Sequence, residues 1–401
     1  MSESFFSDNA VPLDLLRERA FNLRWAQQPA GVIPLTAADP DFPVCPAIQE
    51  QLIRFVRDGV MSYVPPQGLP GFRQSVAEWM RTTRGIGCTE ESVFATDSAA
   101  SGMAVIARAS LQPGDEALIP APVDFLLQHT VERAGGVAVR IPVDRATSGE
   151  EFIARMESAL TPRTRMLWLC NPHNPLGVVY SLDWLRKVAD WAVRRRLRIV
   201  SDEIWSDIVY PPHQHVAVAS LSPEIARNTV TVYGFSKNFA LAGLRVGCLI
   251  CTDPGWHQAL VAASDAESTV YGVSVLSQVA AMAALNGGRE WLAEFIQHLQ
   301  AQRGYVIERL REWPGVGIEP PQGTYVVFPD VRSLAGNKDS AAAFCDLLRD
   351  KARVALVPGL PRWFGPGSEG HVRICFATSR AILKEAFDRM EVVVKGITAA
   401  R

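Results

Sequence analysis

Residues 165–203 read "RMLWLCNPHNPLGVVYSLDWLRKVADWAVRRRLRIVSDE". The stretch opens on the apolar run "RMLWLC" and closes on "LRIVSDE". Between them Ser181 precedes Leu185, Val188, Ala189, Ala192 and Val193, a spacing that lines one helical face and makes Ser181 its N-cap. The pattern is strand, helix, strand. The basic run "RRRLR" at 194–198 falls at the C-terminal end of that helix, where cations suit the dipole and a solvated face is the plain explanation.

The same texture extends outward from about residue 90 to about residue 250, through "SVFAT", "DEALIP", "VAVRIPV", "RMLWLC", "LRIVSDE", "NTVTVYGF" and "LRVGCLIC". Strands apolar nearly throughout and joined by helices predict an α/β fold, with a mostly parallel sheet covered on both faces. Sites in such sheets form beyond the carboxyl ends of the strands. After about residue 290 comes a long amphipathic stretch, "REWLAEFIQHLQAQRGYVIERLREW". Shorter alternating pieces follow, "GTYVVFPDV", "ARVALVPG" and "HVRICFA", as in a smaller α+β domain. The expected organisation is an irregular segment over 1–55 packing with the small domain, a large domain over 56–289 and the small domain over 290–401.

Composition narrows the function. The 401 residues are 48% hydrophobic and carry 40 Lys plus Arg against 42 Asp plus Glu, so no basic excess draws the chain to nucleic acid or an anionic membrane. No apolar stretch approaches the roughly 20 residues of a spanning helix, and the N-terminus lacks a signal-peptide pattern, so the expected address is cytoplasmic. Seven cysteines form no disulfide framework. Cys248 and Cys251, three apart in a strand, would face opposite ways and read as buried spectators. "HQH" at 213–215 follows two prolines and reads as an exposed loop rather than a metal site.

The strand ends hold the chemistry. "FATDSAASGMAVIARA" ends a strand at Thr96 and opens a helix, so the free N–H groups of Ala99 and Ala100 favour a phosphate, although small residues also simply let a helix start close to a sheet. "CNPHNPLG" fixes Asn174 in a turn that could be purely structural. "VSDEIWSD" ends a strand at Asp202, which is either a capping aspartate or a buried carboxylate that needs a cation. "YGFSKNFALAGLRVG" sets Lys237 among small and apolar residues. A lone lysine is usually solvated, but a partly desolvated one has a lowered pKa and can condense with an aldehyde. An aldehyde acceptor, a carboxylate seeking a cation, a phosphate cradle and a nearby arginine are together what pyridoxal 5′-phosphate requires.

On "AADPDFPVCPAI", "NPHNPLG", "SDEI", "SKNFALAGLRVG", "NGGREWL" and "HVRICFATSR", the chain resembles the fold-type I pyridoxal-phosphate enzymes of aminotransferase class I/II over most of its length. Within them it looks most like the MalY/PatB branch of cystathionine β-lyase-like proteins. The resemblance implies that Lys237 holds the cofactor as a Schiff base, that Asp202 pairs with the ring nitrogen, and that Asn174 contacts the phenolic oxygen. Ala99, Ala100, Ser236 and Arg245 would bind the phosphate, with Tyr63 lent by the neighbouring subunit of a homodimer with shared sites. Arg373 would grip the substrate α-carboxylate, its planar fork suiting that task; a strand-edge surface charge is the alternative.

Two positions depart from the family pattern. Trp205 stands where Tyr or His is common, and Asp124 stands where an aromatic usually stacks on the ring. Phe125 is the substitute stacker, and Asp124 could instead favour a basic substrate side chain if it faces the pocket. The implied activity is transamination of an α-amino acid, through quinonoid and ketimine stages. Carbon–sulfur β-elimination is the alternative, and a cofactor-binding regulator, for which no DNA-binding appendage is present, is the third reading. The stretch "AESTVYGVSVLSQ", 266–278, offers no cation for a second substrate carboxylate.

Overall fold

The computed structural model describes residues 4–268, 272–336 and 341–399. All seven apolar runs form strands of one sheet: β1 (Val93–Thr96), β2 (Glu116–Ala121), β3 (Val137–Pro142), β4 (Thr164–Cys170), β5 (Arg198–Asp202), β6 (Thr229–Gly234) and β7 (Gly247–Cys251). Their order is β1-β7-β6-β5-β4-β2-β3, and β7 alone runs against the rest. The fold is therefore the expected α/β class, with a mostly parallel sheet and helices on both faces.

The reason lies in the two-residue period of the strands. In β4, Met166, Trp168 and Cys170 enter one apolar cluster while Leu167 and Leu169 enter another on the opposite face. β7 divides in the same way: Cys248 and Ile250 face one cluster, Leu249 and Cys251 the other. The two cysteines thus point apart, and both are free and buried. Each fully buried large apolar side chain, such as Leu167, contributes roughly 1.5–3 kcal/mol relative to exposure.

Four helices matter for the site: α1 (Ala99–Ser110), α2 (Phe125–Arg133), α3 (Leu182–Arg194) and α4 (Arg289–Arg311). Ser181 caps α3, its hydroxyl accepting from the Trp184 amide at 3.2 Å. Leu185, Val188, Ala189 and Ala192 are buried as the spacing required, and Trp184 and Trp191 widen that face.

A second, three-stranded sheet has the order β9-β10-β8, from β8 (Val326–Val327), β9 (Val357–Pro358) and β10 (Val372–Cys375), all pairs antiparallel. Arg373 sits on its central strand, opposite Val357. The N-terminal segment is tied here: Ile33–Pro34 pairs in parallel with Val354–Ala355, and the Cys375 amide donates to the Leu35 carbonyl at 3.0 Å. Residues 36–38 are thereby carried to the carboxyl edge of the large sheet. No helix among the described residues is long and apolar enough to cross a membrane.

Candidate active site

Four neighbouring strands deliver side chains to one edge. β6 leads to Lys237, β5 ends on Asp202, β4 turns into Asn174, and β2 leads to Asp124. From the other sheet comes Arg373. All five line one cavity of about 480 Å³, together with Trp205, Phe125, Ala38, Met103 and Trp363 among others.

Lys237 Nζ donates to the Ala38 carbonyl at 2.7 Å, an acceptor it shares with the Tyr325 hydroxyl at 3.2 Å. The same nitrogen stands 5.4 Å from the Trp205 ring, an arrangement worth about 1 kcal/mol to a cation. Burial pushes the Lys237 pKa down, against the opposing field of Asp39 and with the added push of Arg373. Asp39 itself is raised by burial and lowered by Lys237 and Arg24. The lysine is thus biased toward the neutral amine a nucleophile needs.

Asp202 is 3% exposed and accepts the Ile204 amide at 3.2 Å. Burial raises its pKa to about 7, with Asp124 and Glu203 adding to the rise, and among the described residues it is in no salt bridge. A buried carboxylate without a cation is costly, and a protonated ring nitrogen is the partner that would relieve it. Arg373 is 9% exposed and, among the described residues, forms no salt bridge. Its Nη1 lies 3.5 Å from Asn174 Oδ1 and its Nη2 3.3 Å from the Thr36 carbonyl, both long, while its buried Nε has no partner. A guanidinium so placed is ready for a carboxylate. Burial pushes its pKa down, opposed by Asp124.

The residues expected to hold a phosphate, Ala99, Ala100, Ser236 and Arg245, are not among those that line the cavity. Ser98 caps α1 and accepts from the Ser101 amide at 3.0 Å, leaving the first-turn amides of Ala99 and Ala100 without helical acceptors. A Cβ on Gly247 would fall 2.7 Å from the Ala99 nitrogen, so glycine is what allows β7 to abut this helix start. Two residues earlier Arg245, at φ 52°, is exposed, and its guanidinium has no ion pair among the described residues. Ser236 is half-buried at the turn before Lys237. Orphaned amides, an unpaired arginine, an unpaired buried carboxylate and a desolvated lysine fit pyridoxal 5′-phosphate.

The departures from the family pattern have structural places. Trp205 forms the floor beneath Lys237 and packs edge-on against Tyr325 at 4.7 Å. Asp124 does face the cavity, but both oxygens are engaged: Oδ1 accepts the Leu126 amide at 3.1 Å as the α2 N-cap, and Oδ2 accepts Asn174 Nδ2 at 3.0 Å. Phe125 is the first residue of α2 and meets Trp363 edge-on at 5.6 Å. Tyr63, 93% exposed, does not line the cavity. Of the stretch free of cations, 269–271 lie outside the described residues.

Sequence reasoning missed Leu23, Ala38, Asp39 and Trp363. Asn22 and Leu23 both adopt positive φ, 60° and 66°, which neither residue type announces. "AADPDF" was a family anchor, and its backbone carbonyl at Ala38 is the actual contact to Lys237. The exposed-loop reading of "HQH" holds for His213 and fails for His215. The His215 side chain is 3% exposed, its Nε2 2.9 Å from Glu203 Oε2. A buried glutamate two strand positions from Ser201 needs a partner, and the loop folds back to supply it.

The pattern of the family described as aminotransferase class I and II matches residues 30–390. A bifunctional aspartate aminotransferase and glutamate/aspartate-prephenate aminotransferase of Petunia hybrida is 33% identical over 375 residues, covering 90% of this chain and 76% of that protein. The crystal structure of a PLP-bound protein from Clostridium difficile 630 superposes with a TM-score of 0.85 at 25% identity, over 94% of this chain and 97% of the other. Cystalysin of Treponema denticola, solved with its pyridoxal 5′-phosphate cofactor, superposes at 0.88 over 100% of both chains; at 22% identity that likeness carries the fold alone.

Proposed function

The chain belongs to the class I and II aminotransferases and is a pyridoxal-phosphate-dependent enzyme acting on amino acids, and from that premise we propose the part each of its residues takes. When bound, pyridoxal 5′-phosphate supplies an aldehyde that takes up the substrate amino group and an electron-poor ring that spreads negative charge from Cα. Lys237 would hold the aldehyde carbon and, once displaced, accept the Cα proton on Nζ and return it. Its lowered pKa favours the neutral base. Asp202 would keep a proton on the ring nitrogen. The amides of Ala99 and Ala100 with Ser236 and Arg245 would hold the phosphate. Asn174, fixed by Asp124, would reach the ring's phenolic oxygen, and Trp205 and Phe125 would flank the ring. Arg373 would bind the α-carboxylate.

The observation that carries this reading is that Lys237, Asp202 and Arg373, three ionisable groups without a salt bridge among the described residues, border one cavity. The working form is a homodimer, on the support of Tyr63 and the exposed apolar Ile53, Val56, Val60 and Met61 near it in sequence, which a partner subunit would cover. Two domains, 56–289 and 290–401 with the 1–55 segment packed on the latter, and a cytoplasmic address complete the proposal.

The test is spectroscopic. Borohydride should fix the yellow cofactor covalently to the wild type and not to Lys237→Ala; full trapping in the variant would place the attachment elsewhere. An amino-acid panel should then yield the aminated cofactor and a keto acid. Carbon–sulfur β-elimination draws on the same residues, and pyruvate from an S-alkyl cysteine with no aminated cofactor would favour it.

A further inference from the structure

Lys237 and Arg373 both take acceptors from one short stretch of backbone, and that stretch is held by a buried charge pair with no part in the proposed chemistry. From Pro34 to Ala38 every carbonyl has a donor. Leu35 accepts the Cys375 amide at 3.0 Å, Thr36 accepts Arg373 Nη2 at 3.3 Å, and Ala38 accepts Lys237 Nζ at 2.7 Å and the Tyr325 hydroxyl at 3.2 Å. The remaining two, Pro34 and Ala37, both accept from Arg24 Nη1 at 3.2 Å. Backbone groups this deep in the protein need such partners, so Arg24 completes the set.

Arg24 is 2% exposed and is not among the residues that line the cavity, although its neighbour Leu23 is. Its Nη2 donates to the buried Asp41 Oδ1, which also accepts Trp25 Nε1 at 2.8 Å, and the Asp41 amide donates to the Ala377 carbonyl at 3.0 Å. Burial alone would lower the Arg24 pKa; Asp41, helped by Cys375 and Asp39, turns the shift upward, so the guanidinium stays charged. The Leu23 carbonyl accepts Thr36 Oγ1 at 2.7 Å, which ties the segment carrying Arg24 to the stretch it holds. One planar fork thus grips Pro34, Ala37 and Asp41, with the carbonyls of Thr36 and Ala38 between its grips. Without the fork those two peptide groups are free to turn away from Arg373 and Lys237. We infer that Arg24 and Asp41 are positioning residues, whose pair fixes residues 34–41 so that the Ala38 carbonyl orients Lys237 Nζ and the Thr36 carbonyl orients Arg373. The inference rests on Lys237 and Arg373 having the roles just proposed.

Two variants test this. Arg24→Lys keeps a cation beside Asp41 but lacks the fork that serves Pro34 and Ala37 together. Arg24→Met combined with Asp41→Asn removes both charges at once, so neither is left buried alone, and keeps an acceptor for Trp25. In both holoenzymes kcat should fall about 10- to 100-fold, as for a misplaced site residue. The α-deuterium isotope effect should grow, because proton transfer to Lys237 is the step that slows. Propionate, a carboxylate without an amino group, should bind both holoenzymes more weakly in calorimetry. In the cofactor-free full chain, cyanate should carbamylate Lys237 severalfold faster than in wild type, read by peptide mass spectrometry, with the exposed Lys384 unchanged. A pair that serves stability alone would lower the urea midpoint and leave the isotope effect, propionate affinity and Lys237 labelling at wild-type values; that result would overturn the inference. A wild type that turns over no amino acid would instead refute the underlying reading, and the labelling and propionate binding would still decide whether Arg24 and Asp41 hold the stretch.

Discussion

Asn174 Nδ2 donates to Asp124 Oδ2 across 3.0 Å, joining the turn after β4 to the N-cap of α2. One carboxylate therefore does two jobs, and two substitutions separate them. Asp124→Ala should lose both: about 1 kcal/mol of cap stability in urea unfolding, and the hold on Asn174. Asp124→Asn keeps an oxygen for the cap but turns an amide toward Asn174. It should unfold near the wild-type midpoint while kcat falls on the order of 10- to 100-fold, the effect of a misplaced site residue. Equal kcat in Asp124→Asn and wild type would remove Asp124 from the positioning of Asn174.

Gly247 is required by contact rather than by backbone angle. A methyl there would meet the Ala99 nitrogen at 2.7 Å and the Ser98 carbonyl carbon at 2.8 Å, both backbone atoms that cannot rotate away. Gly247→Ala should cost about 1–3 kcal/mol, as overpacking does, and should weaken cofactor retention on dialysis because the start of α1 is displaced. Gly243→Ala, where a Cβ would meet nothing within 4 Å, is the matched control and should retain both. Similar losses in the two variants would show that the close approach has no consequence.

The sheet and four of its deliveries were legible because apolar runs mark strands, and the residue after a run marks its carboxyl end. Asp202 and Lys237 are read in that way, and their shared cavity follows once β5 and β6 are neighbours. The wall opposite was not legible. Leu23 reaches the cavity through a pair of left-handed residues, and Trp363 through a four-residue helix, Pro361–Phe364. Neither carries a periodicity, and both are placed by pairing between segments far apart in sequence: Ile33 with Val354 near Leu23, and the Val123 amide with the Phe364 carbonyl beside Trp363. Pairing at that range leaves no trace in local spacing. Asp124 shows the other limit: its residue type allowed a free pocket charge, and only the bonds to Leu126 and Asn174 assign it.

The Glu203–His215 contact makes a stability prediction. Glu203 is 1% exposed, with Oε1 accepting from Ser201 Oγ at 2.8 Å and the Val218 amide at 3.2 Å, and Oε2 served by His215 at 2.9 Å. His215→Ala leaves Oε2 buried without its donor and should cost about 1–3 kcal/mol. The exposed His213→Ala should stay within about 0.5 kcal/mol of wild type. A His215→Ala loss as small as that of His213→Ala would mean that water replaces the imidazole.

The raised pKa of Asp202 fixes the sign of a pH effect. In the cofactor-free folded chain Asp202 keeps its proton up to about pH 7, whereas an ordinary aspartate releases it near 3.8. Between those values the folded state binds more protons than the unfolded one, so this group's contribution to stability is complete below the unfolded value and is lost as pH rises through about 7. Lys237 acts oppositely: its pKa is lowered from 10.5, so the folded state gives up its proton first and stability rises with pH across that interval. Comparison with Asp202→Asn, which leaves Lys237 in place, isolates the carboxylate. Wild type should lose stability relative to Asp202→Asn as pH rises from about 4 to about 7, with no further divergence above. Saturating cofactor should abolish the slope, because a cation at the ring nitrogen favours the ionised carboxylate. Parallel unfolding midpoints for the two proteins across that range would mean that Asp202 finds a partner in the cofactor-free chain, and its claim on the ring nitrogen would lose its physical basis.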